Sequence, residues 1–117
     1  MNFIHKNLAE GKWFNLAFNE QMGNIGSEVN RTIKWFKLND NRFQSAFERA
    51  LELIDLTLTD NRWKSRRKEI ARSREVFCSL MIEPGKHNKL EKELNLINNF
   101  FLHFAIASRL QREKKLS

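Results

Sequence analysis

The sequence predicts an all-α chain folded as an up-down-up-down antiparallel four-helix bundle. Gly and Pro together supply only five of the 117 residues, about a third of average usage, too few for a sandwich or barrel that turns about every ten residues. Apolar residues recur at steps of three and four through four separate stretches, the period of one helical face. The breaks between those stretches are short, which makes consecutive helices run antiparallel. With 10 Phe, 3 Trp and no Tyr, the apolar material is bulky enough to fill the modest core of one domain.

Taken in order, residues 1–13 read as an N-terminal arm, with Phe3, Ile4 and Leu8 ahead of Gly11. The bundle spans 14–115. A first helix over 14–38 follows from Phe18, Met22, Ile25, Val29, Ile33 and Phe36, which step by 4, 3, 4, 4 and 3. Asn39-Asp40-Asn41 is a turn cluster. Behind it, Phe43, Phe47, Ala50, Ile54 and Leu58 predict a second helix over 41–59. Asp60-Asn61 ends that helix and caps a third over 62–82, since a short side-chain oxygen accepts from the free amides of a first turn. Its core face is Trp63, Ile70, Phe77 and Met81. Glu83-Pro84-Gly85 stops it, because Pro has no amide to continue the ladder. Leu90, Leu94, Ile97, Phe101 and Phe104 set a fourth helix over 89–114. No internal repeat is evident.

The fourth helix is apolar nearly all round between Phe100 and Ala107, whereas an outer helix of a monomeric bundle keeps a wet face. Either the N-terminal arm or a second subunit covers it, and Phe100, Leu102 and Ile106 are assigned to a homo-oligomer interface. Gly23 and Gly26 each cost a helix interior about 1 kcal/mol relative to Ala. They point the same way, to a close crossing with a second subunit, with a local bend or a tolerated defect as the alternative.

The net charge of +7 is unevenly spread: residues 1–60 carry 7 Lys/Arg against 8 Asp/Glu, and residues 61–117 carry 14 against 6. A basic surface of this kind neutralises phosphates along a nucleic-acid backbone and releases counterions. The candidate nucleic-acid-binding residues are Arg62, Lys64, Arg66, Lys68 and Arg72 on helix three, and Arg109, Arg112, Lys114 and Lys115 at the end of helix four. Lys64, Lys68 and Arg72 fall at i, i+4 and i+8 on one outward stripe. The helix dipole accounts for the last cluster without a ligand but disfavours cations near the start of helix three. Arg67 and Arg74 follow Trp63 and Ile70 on the core-facing side and are expected to form structural ion pairs with Glu48, Glu52 and Asp55. Trp35 and Trp63 are expected in the core, with base stacking as the alternative.

Other chemistries find no support. The single Cys78 has no bridge partner and no zinc-ligand neighbours, in keeping with a reducing cytoplasm. No signal peptide is read at the start. The longest C-terminal stretch without a charged residue, Leu94 to Ser108, is too short and polar to span a bilayer. Neither His87 nor His103 completes a Glu-x-x-His metal motif, since Pro84 and Phe100 stand where the Glu is needed. No Arg stands four to six residues before any His, as in helical ribonucleases of the toxin type. His103 is expected to be hydrogen-bonded in the interior or an interface, and His87 solvated. With no phosphate loop and no nucleophile elbow, an enzyme is not expected, nor is a metal or other cofactor.

In its size, helix order and basic surface, the chain resembles the small four-helix-bundle proteins encoded in ribosomal-RNA intervening sequences and their relatives, the accessory proteins of diversity-generating retroelements. The resemblance covers residues 14–115 and is carried by the four amphipathic stripes, the Lys64, Lys68, Arg72 stripe and the Arg109 to Lys115 tail. The chain lacks the Ser-Ile-Pro segment leading to Asn-Ile-Ala-Glu-Gly of the intervening-sequence branch, and Asn24-Ile25-Gly26-Ser27-Glu28 is its nearest echo. The resemblance implies a ring-like homo-oligomer that binds structured RNA or DNA and, in the retroelement branch, a reverse transcriptase. The expected function is a non-enzymatic, oligomeric nucleic-acid-binding accessory protein. A protein–protein adaptor or scaffold whose basic surface meets an acidic partner is the alternative.

Overall fold

The computed structural model describes residues 11–116. Among the described residues it contains four helices, α1 (Phe18–Lys37), α2 (Arg42–Thr59), α3 (Arg67–Ile82) and α4 (Leu90–Leu116), with 3-10 segments in the second and third connections, and no strand. The expected arm falls mostly outside those residues, Phe3, Ile4 and Leu8 included. Its described end is structural: Trp13 is buried at 1% exposure, and its indole N–H donates to Thr57 Oγ1 at 2.9 Å.

Helix one starts at Phe18 rather than 14, because Trp13–Asn15 is a 3-10 turn and Leu16 and Ala17 are extended. Glu20 then reaches back to accept from the Ala17 N–H at 3.2 Å. At the other end Asn39 adopts a left-handed φ of 52°. The Asn39 and Asp40 amides bond back to the Phe36 and Trp35 carbonyls at 3.1 and 2.9 Å, a Schellman closure that satisfies the last-turn carbonyls. Asp40 accepts from the Arg42 N–H at 2.9 Å and so starts α2.

The largest departure from expectation is in helix three. Residues Asn61–Arg66 form a 3-10 segment with a kink at Trp63 (φ −109°, ψ 25°), and α3 begins only at Arg67. The kink turns the Trp63 indole inward, where its N–H donates to Gln21 Oε1 at 2.9 Å and its ring meets Phe18 edge-on at 5.2 Å. Lys64 therefore lies outside the α-helical register, and only Lys68 and Arg72 share one face of α3.

α1 packs closely along both α2 and α4, and α3 touches α2 and α4 more sparingly. Asn19 near the start of α1 donates to Gln111 near the end of α4 at 3.3 Å, and Lys37 at the end of α1 donates to Glu91 at the start of α4 at 2.6 Å. Met22, Ile25, Val29, Ala50, Ile54, Ile70, Phe77, Leu80 and Phe101 are fully buried between the helices.

Gly23 and Gly26 sit where α1 and α4 cross. A Cβ on Gly26 would lie 2.8 Å from the Phe101 Cβ, and one on Gly23 would lie 3.0 Å from the Ala105 Cα. The close crossing is thus satisfied within the chain, and the two glycines give no support to a second subunit.

Candidate nucleic-acid interface

The start of α3 is anchored by a buried polar network that spacing did not reveal. Gln21 is fully buried. Its amide donates to the Trp13 carbonyl at 2.9 Å and to Asp60 Oδ2 at 3.1 Å, while its oxygen accepts from Trp63. Each polar atom of Gln21 is therefore partnered, which a buried amide requires. Asp60, 5% exposed, also takes a two-pronged bond from Arg62, at 3.0 Å from Nε and 2.7 Å from the terminal nitrogen. The Arg62 guanidinium, helped by Gln21 and the Arg62 amide, holds the Asp60 carboxyl below the usual carboxylate range, against the opposing effect of its burial.

Two of the candidate cations are engaged within the chain. Arg62 is spent on Asp60 and on the Leu16 carbonyl at 2.8 Å, and its guanidinium lies 4.4 Å from the centre of the Trp63 ring. Arg66 lies 4.0 Å over the Phe18 ring and 5.6 Å from Phe104 and pairs with Glu69 at 3.2 Å. Both cations join α3 to the rest of the molecule. Trp63 is half-buried, covered by Arg62 and held by Gln21.

A sequence signal for this role exists. Asp40-Asn41-Arg42-Phe43 and Asp60-Asn61-Arg62-Trp63 are the same short pattern at two interhelical turns. In each, the Arg amide and Nε donate to one Asp oxygen and the terminal nitrogen to the other. In each, too, the guanidinium covers a Trp ring, Trp35 at 3.7 Å in the first case. The Arg42 side chain brings the partly exposed Asp40 down to a pKa of about 2. Trp35 is flanked by Lys34 as well, at 4.8 Å.

The expected ion pairs are partly rearranged. Arg74 donates to Asp55 Oδ1 at 2.8 Å, and that carboxylate raises its pKa. Arg67 makes no ion pair among the described residues; it donates to the Leu58 carbonyl at 3.0 Å and to Asn61 Oδ1 at 3.2 Å, closing the end of α2. Glu48 accepts from Gln44 on its own helix at 3.0 Å, and Glu52 is engaged elsewhere. Cys78 lies beside Arg74 at 3.9 Å, and burial pushes its thiol up.

What remains is a smaller cationic set. Lys64, Lys68, Arg72, Arg112 and Lys115 are exposed and have no protein partner among the described residues. Arg109 faces Glu113 at 4.0 Å, both well exposed, a pair of small energetic weight. Lys114 is engaged within the chain. Arg66 against Phe104 on one side and Asn19 against Gln111 on the other bring the start of α3 and the last turns of α4 to one end of the molecule.

The α4 surface divides into two sides. Phe100 is half-buried, edge-on to Phe101 and Phe104 at 5.1 and 5.3 Å, and faces α3 across a groove of about 340 Å³ lined also by Val76, Leu96 and Ile97. It therefore does not share a face with Leu102, which borders Gly23 and Asn98 on the α1 side. Leu102, Ile106 and Leu110 are 48%, 40% and 51% exposed and recur every four residues.

His103 is exposed, not interior. His87 is not solvated but half-buried, with Nε2 2.8 Å from Ser79 Oγ and Nδ1 3.0 Å from Glu93 Oε2, and it ties the α3–α4 connection together. Among the described residues no group of three His, Cys, Asp or Glu is arranged to hold a metal ion. No helix among them is long and apolar enough to cross a membrane. Comparison with protein-family models, curated proteins and solved structures finds no match to this chain.

Proposed function

We propose that the chain is a non-enzymatic, oligomeric nucleic-acid-binding accessory protein, a bundle in up-down-up-down order that grips the RNA or DNA backbone at its basic end. Lys64, Lys68, Arg72, Arg112 and Lys115 make the principal contacts, with Arg109 and Lys114 beside them. One observation carries this reading. Once the protein's own carboxylates, carbonyls and rings are matched to its cations, this set remains exposed in the half of the chain with 14 basic and 6 acidic residues. Lys64 and Lys68 flank the start of α3, where the dipole disfavours positive charge, so an external anion is their natural counterpart.

The contacts are to phosphate, which positions but does not specify. Trp35 and Trp63 are both covered by guanidinium groups, so sequence discrimination by those rings is not expected. The end contacts between α1 and α4 support the antiparallel order. Self-association through Leu102, Ile106 and Leu110 covers the exposed stripe of α4, in line with the ring-like assembly that the family resemblance implies. That resemblance also suggests a reverse transcriptase as a protein partner and the cytoplasm as the setting.

The test is the combined substitution Lys64→Glu, Lys68→Glu and Arg72→Glu, read by fluorescence anisotropy with labelled RNA and DNA. All three side chains are exposed, so binding is expected to vanish while thermal unfolding stays unchanged. Affinity equal to that of the unsubstituted protein overturns the site assignment.

A further inference from the structure

Resting on the nucleic-acid reading above, we infer that the groove between α3 and α4 receives an unstacked base of a single strand whose backbone lies along Lys68 and Arg72. Arg72 belongs to both surfaces: it lies one α-helical step from Lys68 and also lines the groove. Four residues of α-helix rise about 6 Å, so the two cations are spaced to meet successive phosphates of an extended strand. Beyond Arg72 the walls turn apolar. Val76 and Leu96 are 40% and 59% exposed, and Phe100 closes the side of a space of about 340 Å³, ample for one nucleobase.

The charges sort the two halves of a nucleotide. Glu69 and Glu93 stand at the groove, where a phosphate is repelled and a neutral base is not. Glu69 is paired with Arg66. Glu93 uses Oε2 on His87, and its Oε1 has no protein partner among the described residues. A free carboxylate oxygen of this kind accepts from an exocyclic amino group, as Glu does from the N4 amine of cytosine. Apolar and aromatic walls then hold the base face by the contacts that single-strand-binding proteins use. A duplex, with its bases paired and stacked, reaches Lys68 and Arg72 but not the groove.

The probe is a fluorescein-labelled deoxycytidine 12-mer, compared with a mixed-sequence duplex of the same length at about 50 mM salt. The single strand is expected to bind about tenfold tighter than the duplex, the order expected for one stacked base. Val76→Trp, or Leu96→Trp from the facing helix, fills the groove from an exposed position. Either is expected to erase that preference and leave duplex affinity unchanged. Binding of both probes that Val76→Trp and Leu96→Trp do not alter overturns the groove assignment while backbone contact stands, and it is also the outcome if the groove takes an amphipathic peptide instead. Absence of binding by both probes overturns the underlying reading, and the groove assignment falls with it.

Discussion

Gly26→Ala sets two well-measured effects against each other, and the geometry decides the sign. Alanine favours an exposed helix interior over glycine by about 1 kcal/mol, so away from any neighbour the substitution stabilises. Here the new Cβ would sit 2.8 Å from the Phe101 Cβ, with the Phe101 carbonyl carbon and oxygen at 3.5 Å. A Cβ cannot swing aside by changing rotamer, because it moves only with its backbone. Restoring an ordinary carbon–carbon separation of about 3.5 Å requires α1 and α4 to part by several tenths of an ångström along their most intimate contact. Overpacking of this kind costs about 1–3 kcal/mol. The net expectation is a destabilisation of about 0–2 kcal/mol, or a drop in Tm of up to about 8 °C for a domain of this size. Gly23→Ala, whose Cβ would meet the Ala105 Cα at 3.0 Å, is expected to be milder. Thermal unfolding followed by circular dichroism measures both. A rise in Tm for Gly26→Ala refutes the account of the α1–α4 crossing.

Three further outcomes are expected. Gln21→Leu leaves the Trp63 indole N–H and the Trp13 carbonyl without their partner and should cost about 2–4 kcal/mol in urea unfolding; an unchanged midpoint removes the network from the stability of this end. Asp60 has a folded pKa below its unfolded value of about 3.9, so its contribution is present above about pH 4 and is lost as pH falls through the folded value. Asp60→Asn should flatten that acid limb of a stability-against-pH curve, and an identical limb in both proteins contradicts the assignment. Leu102→Glu, at a 48% exposed position, should yield a smaller species by multi-angle light scattering, and an unaltered mass places residue 102 outside any interface.

The four helices were legible because apolar periodicity is a local property: each stripe writes its own 3.6-residue period whatever lies opposite. The starts of α1 and α3 were not, because their limits are set by partners far apart in sequence. Trp13 bonds Thr57, and Gln21 gathers Asp60 and Trp63 from about forty residues away. No spacing rule predicts that a Trp in helical register will instead kink the chain to reach a glutamine. The same reason divides the cations. Composition located the basic half, but Arg62 and Arg66 differ from Lys64 and Lys68 through partners such as Asp60, Glu69, Phe18 and Phe104. The paired Asp-Asn-Arg turns were the one local clue that Arg62 is committed, since an Asp two residues before an Arg at a helix junction serves both as cap and as counter-ion. Gly23 and Gly26 left a close crossing and a local bend both open, and only the packing showed a crossing, with α4 of the same chain.

The most direct test of the central claim is the salt dependence of binding to a structured RNA and a DNA duplex, measured by fluorescence anisotropy at about 50 and 200 mM salt. Engagement of four or five phosphates by the free cations predicts a loss of roughly 10²- to 10³-fold in affinity across that range. Micromolar or tighter binding with that slope, abolished by the Lys64, Lys68 and Arg72 substitutions and retained by Arg62→Ala, is the predicted result. No binding at the lower salt contradicts the account and leaves the basic end as a protein-facing surface.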